Sequence, residues 1–373
     1  MQEIKRVFTT HTINSVALSV IGIYIPAYLL TLGHSLSQVI LFYVITHAVG
    51  LIYALLIFPW VVQRWGLLNA FKLNFPLQIA YLVFLSLLKT YPISIEFIAV
   101  LNGLGLFAYW IPINILLIRH SKSEIMGSNM SWFFALPNIF GILGPIISSV
   151  LIPFVGFWPV FCISIVGLLI SYIPLVPVND SDLRIKLNFS SVIRRLLRNK
   201  TVFLFEFLEN IIEESEWFWS IYVFLIIGSL TAPGIVGSCQ AIGGSLFTLI
   251  IGHYVNKKGK QLIPLASLLL LVVFLFKIVS WTPLTAYIVT VAGSFMLSLF
   301  VVSYYSAIYR TVKNDDEEEF MVVREISTVA GRMVVFGAMF LLQQHLRYFF
   351  ILPIFVTLLL LFLYKLKNTH LKS

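Results

Sequence analysis

The chain has 373 residues, 59% of them hydrophobic and only 11% charged, with a formal net charge of +9. A soluble domain carries roughly 25% charged residues to keep its surface wetted, so a water-soluble globule of this length is excluded. The apolar runs are unbroken and of helical length, unlike the roughly ten-residue alternation of a membrane barrel, and the class expected is an all-α membrane protein.

Spanning-length apolar segments fall near 11–31, 37–62, 70–89, 95–118, 128–152 and 157–177. Met1–Arg6 is positive and precedes an apolar stretch. His11, Thr12, Asn14 and Ser15 interrupt that stretch, however, and no small-residue cleavage site follows. It therefore reads as a retained first helix rather than a signal peptide. The candidate polar residues inside these six segments are Asn14 in the first, His47 in the second, Asn102, Tyr109, Trp110 and Asn114 in the fourth, and Asn138 in the fifth. Each either faces an interior cavity or bonds a neighbouring helix. His47, with Thr46 and Tyr43 nearby, is suited to proton relay or to a neutral hydrogen bond between helices. Cys162 and Cys239 lie in apolar runs without metal-ligand spacing and read as small core hydrophobes.

The longest polar stretch, 178–200, divides the chain six plus six. An N-terminal bundle over 1–177, a linker over 178–200 and a C-terminal bundle over 201–373 are expected. Residues 189–200 have the pattern of a short basic amphipathic helix lying on the membrane surface.

Six further segments fall near 201–228, 232–256, 261–281, 284–309, 320–342 and 347–365. The seventh segment holds Glu206, Glu209, Glu213, Glu214 and Glu216. At roughly 100° per residue, Glu206, Glu209, Glu213 and Glu216 share about a quarter of the helix circumference, while Glu214 lies to one side. An ionised carboxylate at membrane depth costs several kcal/mol unless it is paired or wetted. These four must therefore line a water-filled cavity, pair with cations or hold protons. The eighth segment adds Gln240, and the tenth adds Ser294, Ser298 and Tyr304. The run Asp315–Glu319 reads as a solvated loop whose charge suits a helix N-terminus. In the eleventh segment Glu325, Thr328 and Arg332 lie on one face, and Arg324 is expected at the interface, snorkelling. Arg332 either neutralises a glutamate of the seventh segment or pairs with Glu325.

With both termini in the cytoplasm, 21 of the basic residues fall inside and only Lys89, Lys277 and Arg347 outside, Arg332 being within a segment. Such a bias obeys the positive-inside rule. The positive balance is thus topology, and no nucleic-acid partner is implied because no wetted domain carries a basic patch.

The halves look like repeats. The second segment ends Pro59-Trp60-Val61-Val62-Gln63-Arg64-Trp65-Gly66, and the eighth ends Gly252-His253-Tyr254-Val255-Asn256-Lys257-Lys258-Gly259-Lys260. Superposing Gly66 on Gly259 sets Arg64 on Lys257 and Gln63 on Asn256. Parallel repeats about a membrane-normal axis are an architecture of facilitator transporters. The whole chain resembles the major facilitator superfamily, whose loop signature runs G-x-x-x-D-[RK]-x-G-[RK]. Gly252, Lys257, Gly259 and Lys260 match it, with Asn256 in place of the acid; in the first half Arg64 and Gly66 match, while Pro59, Gln63 and Leu67 depart. Gly144-Pro145 is similar to part of a motif of proton-driven drug exporters, although Phe140, Ser148 and Ser149 stand where that motif has glycine. The resemblance implies two six-helix bundles around a cavity lined by the first, fourth, seventh and tenth helices. Where the family latches its bundles with a charge, Gln63 and Asn256 offer only hydrogen bonds.

No metalloprotease, hydrolase or nucleotide-loop motif is present. An enzyme, a cofactor and a bound metal are not expected. The activity expected is proton-coupled transport of a small solute by alternating access, with export of an amphipathic or cationic compound in first place. Proton-coupled nutrient import and a non-transporting receptor or assembly role on the same fold are the alternatives. The setting expected is a prokaryotic inner membrane, the partners are lipid, protons and the solute, and the chain is expected to be a monomer.

Overall fold

The computed structural model describes residues 2–177, 189–280, 282–312 and 317–370, and every regular element among them is helical. The first half contributes α1 (Lys5–Thr31), α2 (Leu36–Trp65), α3 (Leu67–Leu87), α4 (Ile95–His120), α5 (Met126–Val155) and α6 (Trp158–Leu175). The second half contributes α7 (Lys200–Ile227), α8 (Ala232–Ser245 with Ile250–Asn256), α9 (Gln261–Val279) and α10 (Pro283–Arg310). It closes with α11 (Glu317–Leu341) and α12 (Leu346–Lys365). Between the halves Phe189–Arg198 forms the expected basic helix. Residues 178–188 of the linker, and Asp315 and Asp316 of the acidic run, lie outside the described residues.

Among the described residues nine of these helices are long and apolar enough to cross a bilayer, and the bent α8 makes ten. The two that remain, α7 and α11, carry the carboxylates and guanidinium groups of the interior. They pack closely against each other.

Local sequence sets the helix limits. Ser35 opens α2 with a capping box: its hydroxyl accepts the Gln38 backbone N–H at 3.2 Å while Gln38 accepts the Ser35 N–H at 2.8 Å. One π-helical turn, Tyr53–Ile57, then precedes Pro59. Gly66, at φ 85°, makes the sharp link from α2 to α3 that a residue with a side chain resists. Helical hydrogen bonding runs on from α8 into α9 over 48 residues, about 72 Å if straight and twice a bilayer core. The limbs instead run antiparallel. Gly234 lies against Tyr24 and Pro145, Asn256 against Ser128, and Lys277 is back beside Phe350.

The bundles meet at both ends. At the end bearing the termini, Arg119 of α4 pairs with Glu318 of α11. Close by, the Tyr309 hydroxyl of α10 donates to Asn114 of α4 at 3.0 Å. At the distal end the Ser37 hydroxyl of α2 donates to Gln343, just beyond α11, at 2.8 Å. Two seams join the bundles, and they differ. Along α5 and α8 the backbones nearly touch. A methyl group added at Gly127 would lie 2.7 Å from Asn256 Oδ1, and one at Gly234 would lie 2.6 Å from the Pro145 carbonyl. Close approach through small residues is how membrane helices associate without a hydrophobic drive. Among the described residues the α2–α11 seam has no such contact along its distal half, and it leaves an apolar groove of about 470 Å³.

Candidate functional site

The interior of the second bundle is ionic. Glu206, fully buried on α7, accepts from Arg324 Nε of α11 at 2.9 Å. The same guanidinium donates to the Tyr305 hydroxyl of α10 at 2.5 Å, stacks over that ring at 4.6 Å, and lies 4.0 Å from Glu325. Arg324 is thus not at the interface, as its place near the start of α11 suggests, but 8% exposed inside the bundle. Its charge is drawn inward because a buried Glu206 without it would be costly. One turn further on, Glu209 is also fully buried. It accepts from Tyr305 Oη at 3.2 Å and from Asn210 Nδ2 at 3.0 Å. Among the described residues it makes no ion pair.

The next turn meets α11 again at Arg332. Glu213 is half-buried with its carboxylate 3.8 Å from this guanidinium, and Glu214 is buried at 3.1 Å. Glu214, set aside by the helical-wheel argument, turns out to be Arg332's nearer partner, because α11 lies on that flank of the stripe. Arg332 also donates to His47 Nε2 across the bundle interface at 2.9 Å. Arginine can only donate, so His47 Nε2 is the bare nitrogen. Its Nδ1–H then donates to the Tyr43 carbonyl at 2.8 Å. In this conformation His47 is a neutral, bridging imidazole.

Glu216 ends the stripe about 15 Å beyond Glu206. It meets Lys277 of α9 at 2.6 Å. Lys277, counted outside by the positive-inside tally, is fully buried. Its ammonium sits 4.9 Å from the Trp219 ring centre, 5.3 Å from Phe274 and 5.8 Å from Phe350. A carboxylate together with three aromatic faces supplies the cation with what water would have given it.

Polar groups of the first bundle are neutral by comparison. Asn102 donates to Thr46 at 3.3 Å. His11, which nothing in its local sequence marks out, bonds the Tyr109 hydroxyl and the Phe133 carbonyl and stacks on the Phe133 ring. Asn14 is buried, and neither of its amide atoms has a hydrogen-bond partner among the described residues. Tyr304 is buried against Phe300.

Two cavities lie between the bundles. The smaller, about 130 Å³, is lined by Trp110, Asn114, Tyr309, Arg324, Glu325 and Arg332 among others. The larger, about 410 Å³, is lined by Asn138, Gln240, Ser294, Ser298, Trp217 and Glu216 among others. Glu213 borders both.

At the end bearing the termini, the expected loop latch takes a different form. Gln63 and Arg64 are exposed, the latter over the Trp60 ring at 5.7 Å. Asn256 instead crosses to α5: its Oδ1 accepts the Ser128 backbone N–H at 3.1 Å and its Nδ2 donates to the Ser128 hydroxyl at 2.6 Å. Arg310 adds bonds to the Asn256 carbonyl at 3.0 Å and to its Oδ1 at 3.2 Å. Gly252, one turn before, gives Ser131 room to approach. The side-chain positions of Lys257, Gly259 and Lys260 lie outside the described residues.

No protein-family profile matches the sequence, and no curated protein matches it. Solved structures do match along nearly the whole chain. A bacterial homologue of the iron transporter ferroportin, in an outward-facing state, superposes with a TM-score of 0.70 at 14% identity, over 99% of this chain and 100% of that one. A second such structure, with soaked iron, gives 0.69 at 15% identity over 96% and 98%. FucP, a major facilitator superfamily transporter in the outward conformation, gives 0.74 at 11% identity over 98% and 99%. The chain therefore has the fold of the major facilitator transporters, and it is an integral membrane protein.

Proposed function

We propose that this chain is a secondary transporter that couples proton movement to the passage of a small organic cation by alternating access. The fold shared with transporters supports the transport reading. The charge balance of the interior supports the coupling. Five carboxylates (Glu206, Glu209, Glu213, Glu214 and Glu325) share two guanidinium groups, Arg324 and Arg332. Each arginine has two carboxylates, and Glu209 has none, which leaves three negative charges unmatched. At membrane depth that excess must be met by protons or by a cationic solute. Competition between the two for the same carboxylates is the basis of exchange. Glu213 is the group suited to it, since it is the least buried of the five and borders both cavities.

Export at a prokaryotic inner membrane, from a monomer with both termini cytoplasmic, fits the basic residues gathered at the terminal end. Iron, the cargo named for the ferroportin homologue, is disfavoured. The carboxylates and the imidazole that converge in the interior do so on the Arg332 guanidinium, which repels a metal ion.

The test is flux in proteoliposomes with and without an imposed pH gradient, using tetramethylammonium and octyltrimethylammonium as cations of permanent charge. Wild type should move at least one of them faster when the imposed gradient drives protons in the opposite direction. Glu213→Gln keeps the size and loses both the exchangeable proton and the negative charge, so gradient-driven flux should fall by about tenfold or more. Glu216→Gln probes the other carboxylate that lines the larger cavity. Wild-type rates in both single variants and in the double variant would overturn the coupling assignment. A wild-type protein that moves neither cation, but binds one, would point to the receptor alternative.

A further inference from the structure

The α2–α11 seam carries a second, membrane-facing element of the same site. Its groove is lined by Ile40, Leu41 and Val44 of α2 and by Met333, Phe336 and Phe340 of α11, with polar Ser37 and Gln38 only at the distal rim. The α2 wall is long and apolar enough to span the bilayer, and Leu41 and Phe340 are about half exposed on an apolar surface, so the groove faces hydrocarbon. Its inner wall is thin. Phe336 lies 5.3 Å from His47 and 6.2 Å from Tyr43, ring centre to ring centre, and Tyr43 lies edge-on to Trp217 at 4.5 Å. Trp217 in turn lines the larger cavity beside Glu213 and Glu216. Three aromatic rings thus separate the bilayer from the carboxylates.

We propose that the α2–α11 groove receives the alkyl tail of an amphipathic cation whose charged head binds at Glu213, so that cargo passes between the cavity and the distal leaflet through the Phe336–Tyr43 wall. The inference rests on the cation reading above. Three observations carry it. The groove is apolar while the chamber behind it holds excess negative charge, which is the complement of a molecule with one cationic end and one hydrocarbon end. Among the described residues the opposite seam, α5–α8, is instead drawn close by glycines, as at Gly127 and Gly234. Finally, Gly337 sits in the groove with nothing within 4 Å of the place a Cβ would occupy. That space is unfilled by the described residues, and among them the seam's distal half is closed, beyond aromatic contact, by the Ser37–Gln343 hydrogen bond.

Gly337 also supplies the test, because a Cβ there meets no neighbour within 4 Å and a larger side chain is carried at the groove. In proteoliposomes, Gly337→Leu and Gly337→Trp should lower the ratio of octyltrimethylammonium to tetramethylammonium flux by about tenfold, the equivalent of about two methylenes denied a hydrocarbon site. An unchanged ratio would overturn the proposal. Binding is read separately on Gly337→Cys labelled with bimane in nanodiscs. Octyltrimethylammonium should shift the emission to the blue and tetramethylammonium should not. If octyl sulfate, with the same tail and the opposite charge, shifts it equally, the groove is a resident lipid site and the cargo assignment is wrong. A bimane shift selective for the cation in a protein that transports neither probe would leave the groove standing and sink the transport reading. Transport of octyltrimethylammonium with no bimane shift would do the reverse.

Discussion

The two bundles share a fold and differ in how they keep polar groups inside a membrane. In the first bundle the buried contacts are neutral: Asn102 to Thr46, His11 to Tyr109 and to a backbone carbonyl. In the second they are ionic and bind several helices at once, with Arg324 joining α7, α10 and α11 and Lys277 joining α7 to α9. Neutral hydrogen bonds inside a bilayer contribute modestly and survive a change of conformation. Buried ion pairs are unforgiving when one partner is lost, and they can change partners when a proton or a cation arrives. The contrast sets a neutral polar interior in the first bundle against an ionic one in the second, with His47 the first bundle's contact to it.

The sharpest way to break this comparison is to strand a charge. Arg324→Met leaves Glu206 without a cation, and Lys277→Met does the same to Glu216. Each should destabilise the protein by about 3–5 kcal/mol, read as loss of the folded fraction in detergent thermal unfolding. Adding Glu206→Gln or Glu216→Gln should recover most of that loss. If the single variants melt like wild type, the second bundle is no more ionic in its energetics than the first. A smaller effect is expected from the neutral side. Asn102→Ala should cost about 1 kcal/mol and leave the pH dependence of flux unaltered. A shifted pH profile there would mean that the first bundle shares the proton chemistry.

The smallest expected effect concerns the contact between bundles. Asn256→Asp keeps both acceptor bonds to Oδ1, makes the one from the Ser128 N–H charge-assisted and turns the one from Arg310 into an ion pair, while the Ser128 hydroxyl can turn to donate. Closure at the terminal end should strengthen by roughly 0.5–1 kcal/mol, the margin of a charge-assisted bond over a neutral one. Cross-linking between cysteines placed on α5 and α8 near that end should rise accordingly, and an unchanged yield would mean that Asn256 does not hold the bundles together.

The spanning segments were legible in the sequence because apolar length is a property of contiguous residues. The glutamate stripe was legible for the same reason, since helical spacing alone puts Glu206, Glu209, Glu213 and Glu216 on one flank. What could not be read was which cation serves which carboxylate. Lys277 sits near the end of an apolar run, where a lysine ordinarily reaches water; it is buried because Glu216 and three rings wait for it, and those come from α7, α9 and α12. Arg324 was misplaced by the same reasoning. The partner of Asn256 was hidden because Ser128 is 128 residues away and carries no motif. Glu214 was discounted on an angle that was correct, with a neighbouring helix whose side no periodicity reveals.

One consequence of this arrangement falls on biogenesis. A charged residue at the centre of a helix opposes release from the insertion machinery into lipid by about 2.5–3.5 kcal/mol, and α7 carries five glutamates. Arg324, the partner of Glu206, is synthesised 118 residues later. As the chain emerges, α7 is therefore a poor candidate to enter lipid alone and is better kept at the protein-lined exit until α9 and α11 arrive with their cations. A chain that stops before α11 would hold a membrane helix with no counter-charge for Glu206, Glu213 or Glu214, and the cell's proteases would see it as unfinished.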